Sequence, residues 1–415
     1  MLSRILLLLS LLPFALAGGV HAQTAPSEIK IGVLYASTGP FSDTSMPEYD
    51  ALKMWVDQMN AAGGAFVKPF NKKIPIKLIS YDDQSSTALA ATLYNQLITQ
   101  DKVDLLVSDN GSVLTSVAVP IAKEHKMFLF DVAGTGGTFF TKDNPYIALM
   151  ALPVSTIWPK YLADFLNSTG VAVGIKTVAI LYATNDFTGT QANALRGFIK
   201  DAGKLKIVYD QGVPTSTSNY TVLLNNIAAA KPDAVAELGF VGNDIAFFRN
   251  LQDSGYRFRF VFSLFPSQEQ DEMTKDVGVG GLTDVFSYVA SSAYNYVPNF
   301  GPTLAQFHTM WEKAHPSGSG VEFGATTIYG YMTGLVIERA LATTASLDQM
   351  AIHNAVFGLS GKLKTLDGSF ALNDMGAQVG EITPIGQLQP NGKGGLKLVV
   401  VYPPDLMNGK PIFGK

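Results

Sequence analysis

The stretch "KMFLFDVAGTGGTFF", Lys126–Phe140, decides the fold. A run of large apolar residues breaks into Gly134, Thr135, Gly136 and Gly137. A strand ending in a glycine-rich turn can hold a nucleotide phosphate, a small carboxylate, or nothing. The dinucleotide fingerprint G-x-G-x-x-G fails here, because Phe139 stands where the third glycine belongs. Upstream, "VDLLVSD" (103–109) reads as a strand and 112–125 as a helix despite Pro120, so the stretch closes a strand–helix–strand unit.

The same alternation runs through the chain. "IKIGVLY" (29–35) predicts a buried strand. Ser45 with Glu48 three residues on predicts a capping box, and Leu52, Trp55, Val56 and Met59 form the apolar stripe of the helix it opens. Gly63-Gly64 stops that helix. A strand over 73–83 and a helix around 86–100 follow, the latter with Leu89, Leu93 and Leu97 on one side. Strands alternating with helices of this length imply parallel sheets with right-handed crossovers.

The pattern then restarts. "GVLYASTGPF" (32–41) matches "AILYATNDFTG" (179–189), "VDLLVSD" matches "PDAVAEL" (232–238), and "KMFLFDVAG" matches "FRFVFSLFP" (258–266). Three pairs in one order predict two similar α/β lobes. Beyond residue 285 the sequence predicts a strand, an aromatic loop containing Tyr294 and Tyr296, helices near 302–314 and 324–342, and a tail of strands with a hairpin turn at Gly392, Gly394 and Gly395.

The first residues, "MLSRILLLLSLLPFALAGGVHA", predict a secretory signal peptide over 1–22. One arginine precedes an apolar run too short to span a bilayer, and Val20-His21-Ala22 ends it with small residues at an A-x-A-like cleavage site. There is no cysteine, so no disulfide framework. Export without disulfides fits the bacterial periplasm. The net charge of −4 offers no basic footprint for nucleic acid. The five histidines (His21, His125, His308, His315, His353) have no metal spacing, and no nucleophile elbow or P-loop is present. Asp82-Asp83 could bind a divalent ion, though acids at a strand end are commonly solvated. No enzyme reading gains support.

The leader, "IKIGVLYASTGPFS", "AAGGAF", "ISYDDQSS" and "VDLLVSDNGSVLTSVAVPIAKEHKMFLFDVAGT" resemble the periplasmic solute-binding proteins of the branched-chain amino acid type, the receptors of ABC importers. The resemblance runs from about residue 29 to 290 and more weakly to about 380. It implies the type I periplasmic binding fold, two Rossmann-like lobes with parallel central sheets joined by three crossovers in a Venus-flytrap arrangement. Lobe one would comprise 23–152 and 287–368, lobe two 153–286 and 369–415. It implies no cofactor, no metal and no catalysis. Its partners would be a small carboxylate and an inner-membrane permease, and the protein would act as a monomer.

By the resemblance, a serine hydroxyl and backbone groups of an A-x-T turn hold the ligand carboxylate; the matching positions are Ser112, Ala133 and Thr135, with Gly134 between and Asn110 close by. A helix beginning at Ser112 supplies unpaired N–H groups and the positive end of its dipole, so the turn favours a carboxylate over a phosphate. Family members place a glutamate for the ligand's α-ammonium after the strand matching "FRFVFS"; here that position is Leu264, with Gln268 and Glu269 nearby. Aromatic family positions fall on Phe187 and Phe240. Trp158 follows the first crossover, and the "TGPFSDTS" turn offers Phe41 and Thr44. One anion-binding end with an aromatic remainder and no ammonium partner predicts a carboxylate without an amine, of benzoate or cinnamate type. Competing readings are an amino acid, amide or urea-type ligand using Asn110, Glu237 or Glu269, a periplasmic sensory module, and a hydrolase using Ser112, for which no base is evident.

Overall fold

The computed structural model describes residues 24–290, 293, 296–316 and 323–414. The expected signal peptide and Tyr294 lie outside the described residues. Two central sheets organise the chain. The first has the strand order Ile76–Asp82, Ile29–Tyr35, Leu105–Val107, Leu129–Asp131, Ile147–Leu149, and every pairing is parallel. The second repeats that order with Lys206–Val213, Thr177–Ala183, Ala234–Leu238, Phe260–Phe262 and Phe286–Tyr288, again parallel. The three segment pairs read from the sequence occupy equivalent places in the two sheets. The tail then adds an antiparallel hairpin, Ile385–Pro390 with Leu396–Tyr402, to the edge at Phe286–Tyr288.

Each strand alternates its side chains between two faces, so each sheet builds two cores. Val33, Leu105, Val107 and Phe130 meet one set of helices; Leu34, Leu106 and Leu129 meet the other. In the second sheet Ile180, Ala236 and Phe262 face one cluster, and Ala179, Leu181 and Val235 its opposite. Helices cover both faces of both sheets, as parallel sheets require.

The chain passes between the cores three times. Ala151 and Val154 belong to the first lobe's clusters and Trp158 to the second's; Tyr288 is second-lobe core and Phe307 first; Ala377 is first-lobe core and Ile385 second. Phe370 and Ala377 therefore still pack in the first lobe, past the boundary expected at residue 368. The passages brace one another: Val154 N–H donates to Gln378 O at 2.9 Å, Thr383 Oγ1 to Trp158 O at 2.8 Å, and Val289 N–H to Pro384 O at 2.9 Å.

Three local expectations need correction. The first helix begins at Ser42, not at Ser45, and Ser45 forms no capping box. Its buried hydroxyl instead accepts from Ala36 N–H and donates to Asp109, a fixed carboxylate that outcompetes a helix-end amide. The helix Thr87–Thr99 buries Ala90, Tyr94 and Leu97 rather than Leu89 and Leu93. A helix at Gln349–Leu359 went unread; Asp348 caps it through a hydrogen bond from Ala351 N–H.

The tightest packing joins Ser42–Ala61 to Ala325–Leu341. A Cβ on Gly330 would lie 1.9 Å from Glu48 O, and one on Gly334 would lie 2.3 Å from the Trp55 ring. Backbone contact leaves no flexible side chain to yield. Gly330→Ala is expected to cost about 1–3 kcal/mol, as overpacking does. Gly358→Ala, with open space around its Cβ, should be neutral or stabilising. Urea midpoints measure both; equal midpoints would contradict the packing argument.

Candidate functional site

The candidate residues cluster at one place in the topology, just past the carboxyl ends of parallel strands. Phe41 follows Ile29–Tyr35, Ser112 follows Leu105–Val107, and Ala133–Thr135 follow Leu129–Asp131. In the second sheet Phe187, Phe240 and Leu264 follow Thr177–Ala183, Ala234–Leu238 and Phe260–Phe262. In both sheets the strand order reverses between the first and third strands of the lobe, the switch point at which open α/β sheets bind ligands.

The two edges face each other. Phe41 meets Phe240 across the lobes, edge-on with ring centroids 6.2 Å apart. Phe240 stacks on Phe187 at 5.7 Å, Phe187 meets Trp158 at 5.2 Å, and Trp158 meets Tyr288 at 5.4 Å. The structure thus brings Phe41, Trp158, Phe187 and Phe240 into one chain of rings, which Phe265 joins at 6.3 Å from Phe187. Leu264 is fully enclosed in the same core, beneath the rings. Each of the four rings occupies the residue before a helix, where none provides a side-chain cap.

The expected anion end lies at the start of the helix Gly111–His125. Asn110 precedes it and is of a type that caps well, but its side chain makes no cap bond. The Asn110 amide donates instead to Glu48 at 2.6 Å. The helix end keeps its open N–H groups, as uncapped helices do. Ser112 is buried, and its hydroxyl has no partner. The glycine turn is less available than the sequence implies. Gly134 N–H donates to Asp131 at 2.7 Å, Thr135 N–H to Ala133 O at 3.0 Å, and the Thr135 hydroxyl pairs with Ser155 at 2.8 Å. Thr44 is also committed, its hydroxyl donating to Phe41 O. Ser112 is the one sequence-selected hydroxyl of this set left unpaired.

Gly136 and Gly137 have a different role from a cradle. A Cβ on Gly136 would meet Asp186 Cβ at 3.0 Å, and one on Gly137 would meet Thr190 at 2.7 Å. They let the first lobe's turn close against the second lobe, where Thr138 donates to Asp186 at 3.0 Å. Sequence reading missed this clasp, and also Phe265, although it adjoins Leu264.

Four acids lie under the anion end. Glu48, Asp83, Asp109 and Asp131 are all buried. Burial raises each pKa first of all; for Glu48, Asp83 and Asp109 neighbouring carboxylates add to it. Asp131 is pushed up to about 8, even though Gly134 N–H and Ser108 donate to it. A protonated Asp131 does not repel an anion. The Asp82-Asp83 pair splits: Asp82 is held by Ser37 and Gln84, while Asp83 is fully buried. Among the described residues no group of three or more acids or histidines could hold a metal ion, and no helix is long and apolar enough to cross a membrane.

The profile of the family described as "Periplasmic binding protein" matches residues 28–393. The chain belongs to the periplasmic binding proteins. This binding protein is 22% identical over 396 residues to Leu/Ile/Val-binding protein homolog 7 of Brucella abortus (strain 2308), covering 92% of this chain and 93% of that one. A branched-chain amino acid transporter substrate binding protein from Streptococcus pneumoniae, solved with isoleucine, superposes with a TM-score of 0.71 at 17% identity, over 91% of this chain and all (100%) of that one. A solute binding protein of an ABC transporter from R. palustris, solved with benzoate, superposes with a TM-score of 0.69 at 14% identity, over 90% of this chain and 96% of that one. These structures share the two-lobed fold.

The buried acids set a pH dependence. The folded protein holds a proton on Asp131 up to about pH 8, whereas an unfolded carboxyl releases it near 3.8. The stability this contributes is full below the unfolded value and is lost as pH rises toward the folded one. Urea midpoints should therefore fall from about pH 5 to about pH 8, and Asp131→Asn should flatten that slope. An unchanged slope in the variant would place the pH dependence elsewhere.

Proposed function

We propose that this binding protein captures a small carboxylate lacking an α-ammonium, an aromatic acid of benzoate or cinnamate type, in the periplasm and delivers it to an inner-membrane ABC permease. The observation that carries this reading is the chain of rings from Trp158 to Phe41, which bridges the lobes beside an uncapped helix end with an unpaired buried serine hydroxyl. The carboxylate accepts from Ser112 and the first amides of Gly111–His125, where the helix dipole favours negative charge. The ring of the ligand packs among Phe187, Phe240 and Phe41, which suits edge-on and offset contacts. The raised pKa values of Asp83 and Asp131 below reduce the charge that opposes the ligand's. A ligand touching both lobes binds the closed form better and shifts the population toward it. The closed shape is what a permease reads. Leu264 offers no charge to an ammonium, and leaving such a cation unpaired in a closed cleft is costly. The benzoate bound by the R. palustris protein supports this ligand class.

A second reading is an amino acid ligand. Glu269, half-buried and raised to about 7 by burial and then by Glu272, shares the segment after Phe260–Phe262 with Leu264, the family's ammonium position. The isoleucine complex of the S. pneumoniae protein supports it.

A thermal-shift and calorimetric screen separates the two. Benzoate- and cinnamate-type acids should raise the melting temperature, and branched-chain amino acids should not. Ser112→Ala removes a hydrogen bond to a charged group, worth about 1.5–3 kcal/mol, so it should weaken benzoate binding by roughly ten- to a hundredfold. Stabilisation by leucine or isoleucine alone would replace the proposal with the second reading.

A further inference from the structure

The passages between the lobes enclose a second feature that the site above does not use. A narrow pocket is lined by Trp158, Gln268, Tyr329, Glu381 and Thr383, with Leu152, Val289 and Ile382 completing its apolar wall. Every passage contributes to it: Leu152 and Trp158 from the first, Val289 from the second, Glu381 and Thr383 from the third. Trp158 belongs both to this pocket and to the ring chain, so the two are contiguous. The first passage also reaches the glycine turn, where Ser155 N–H donates to Thr135 O at 2.8 Å.

Glu381 is the anomaly in this wall. It is 6% exposed, and its Oε1 has no hydrogen-bond partner. Burial raises its pKa well above the ordinary value, with Asp367 adding to the effect, and no cation acts on it. Its carboxyl is hydrogen-bonded to Asp367, which leaves Oε1 as an unused acceptor. Gln268 beside it makes one long bond, from Nε2 to Leu264 O at 3.3 Å. A buried polar atom without a partner is destabilising, and a ligand that supplies the missing partner recovers that loss. An unused carboxyl oxygen next to an amide matches a group that both donates and accepts, which is a hydroxyl. An ammonium would require the buried acid to ionise beside Asp367.

We propose that Glu381 and Gln268 form a distal polar subsite that selects a ring hydroxyl, so that the ligand class is a hydroxylated aromatic acid with its carboxylate at Ser112 and its hydroxyl at the pocket between the lobes. This rests on the aromatic-acid reading above. It assigns specificity to Glu381 of the third passage and Gln268 after Phe260–Phe262, both far in sequence from the turns that hold the carboxylate. Sites built to hydrogen-bond a hydroxyl discriminate strongly against analogues that lack it.

The test compares dissociation constants for benzoate, 4-hydroxybenzoate, cinnamate and 4-hydroxycinnamate, measured calorimetrically on the full mature chain. The hydroxylated member of each pair should bind more tightly by on the order of ten- to a hundredfold. Glu381→Leu should bring that ratio close to one, while Glu381→Gln, which keeps an acceptor and a donor, should retain most of it. Should Glu381→Leu fail to fold by its melting curve, Gln268→Leu reports on the same ratio from the other side of the pocket. Equal affinities within both pairs for the wild type, with benzoate still bound, would overturn the subsite and leave the aromatic-acid reading standing. Binding of isoleucine with no response to any of the four acids would overturn both.

Discussion

Two parallel sheets facing each other by their carboxyl ends is the constraint on which the remainder depends. A parallel strand delivers its turn and its following helix at one edge only. Opposing two such edges brings helix N-termini from both lobes to the space between them. Helix N-termini carry open N–H groups and a partial positive charge. The ordinary remedy is a serine, threonine, aspartate or asparagine just before the helix. Here Phe41, Trp158, Phe187 and Phe240 occupy those places, and Asn110 turns its amide to Glu48. The residue before each of the first four helices offers a ring in place of a capping group, and the helix after Phe187 is compensated by Asn185, which accepts from Phe187 and Thr188 N–H.

The acids beneath the first lobe's edge follow from the same arrangement. The polar ends of the strands, Asp83, Asp109 and Asp131, are buried by the helices that descend from the turns. Burying ionised carboxylates without cations is very costly, so burial raises the pKa of each toward the protonated form. Their hydrogen bonds then become structural. Asp131 fixes the Gly134 amide and so the path of the glycine turn, and Asp109 holds Ser45 and with it the start of the first helix. A floor of acids biased toward the neutral form opposes an anionic ligand less than an ionised one would.

Much of this was legible in the sequence, for definite reasons. Alternating strand and helix patterns give the α/β class, and the repeat of "GVLYASTGPF" in "AILYATNDFTG" gives the doubling, because equivalent strands meet equivalent packing. The four rings were selected from turn positions, and the structure joins them in one cluster. Features governed by tertiary partners were not legible. Ser45 looks like a cap until Asp109 lies beside it. Gly136 and Gly137 look like a cradle until Asp186 and Thr190 arrive from the other lobe. Glu381 sits more than two hundred residues from Trp158, and only the third passage brings them to one pocket. No local pattern records such a meeting.

The closed arrangement itself rests on little. Phe41–Phe240 is a single ring pair, of a kind worth about 0.5–1.5 kcal/mol. Thr138–Asp186 is an exposed hydrogen bond between a hydroxyl and a carboxylate, and solvent competes for both groups. Set against these is the entropy lost when two lobes on three braced passages stop moving independently. Contacts of that size cannot hold a closed population far from balance, since a shift from 1:99 to 99:1 takes about 5.5 kcal/mol. The difference has to come from a ligand that touches both lobes. Rings presented from both sides of the cleft, with an anion end on one lobe, are suited to a small flat acid that completes contacts neither lobe makes alone. Closure then reports occupancy, which is the property a receptor of this kind needs.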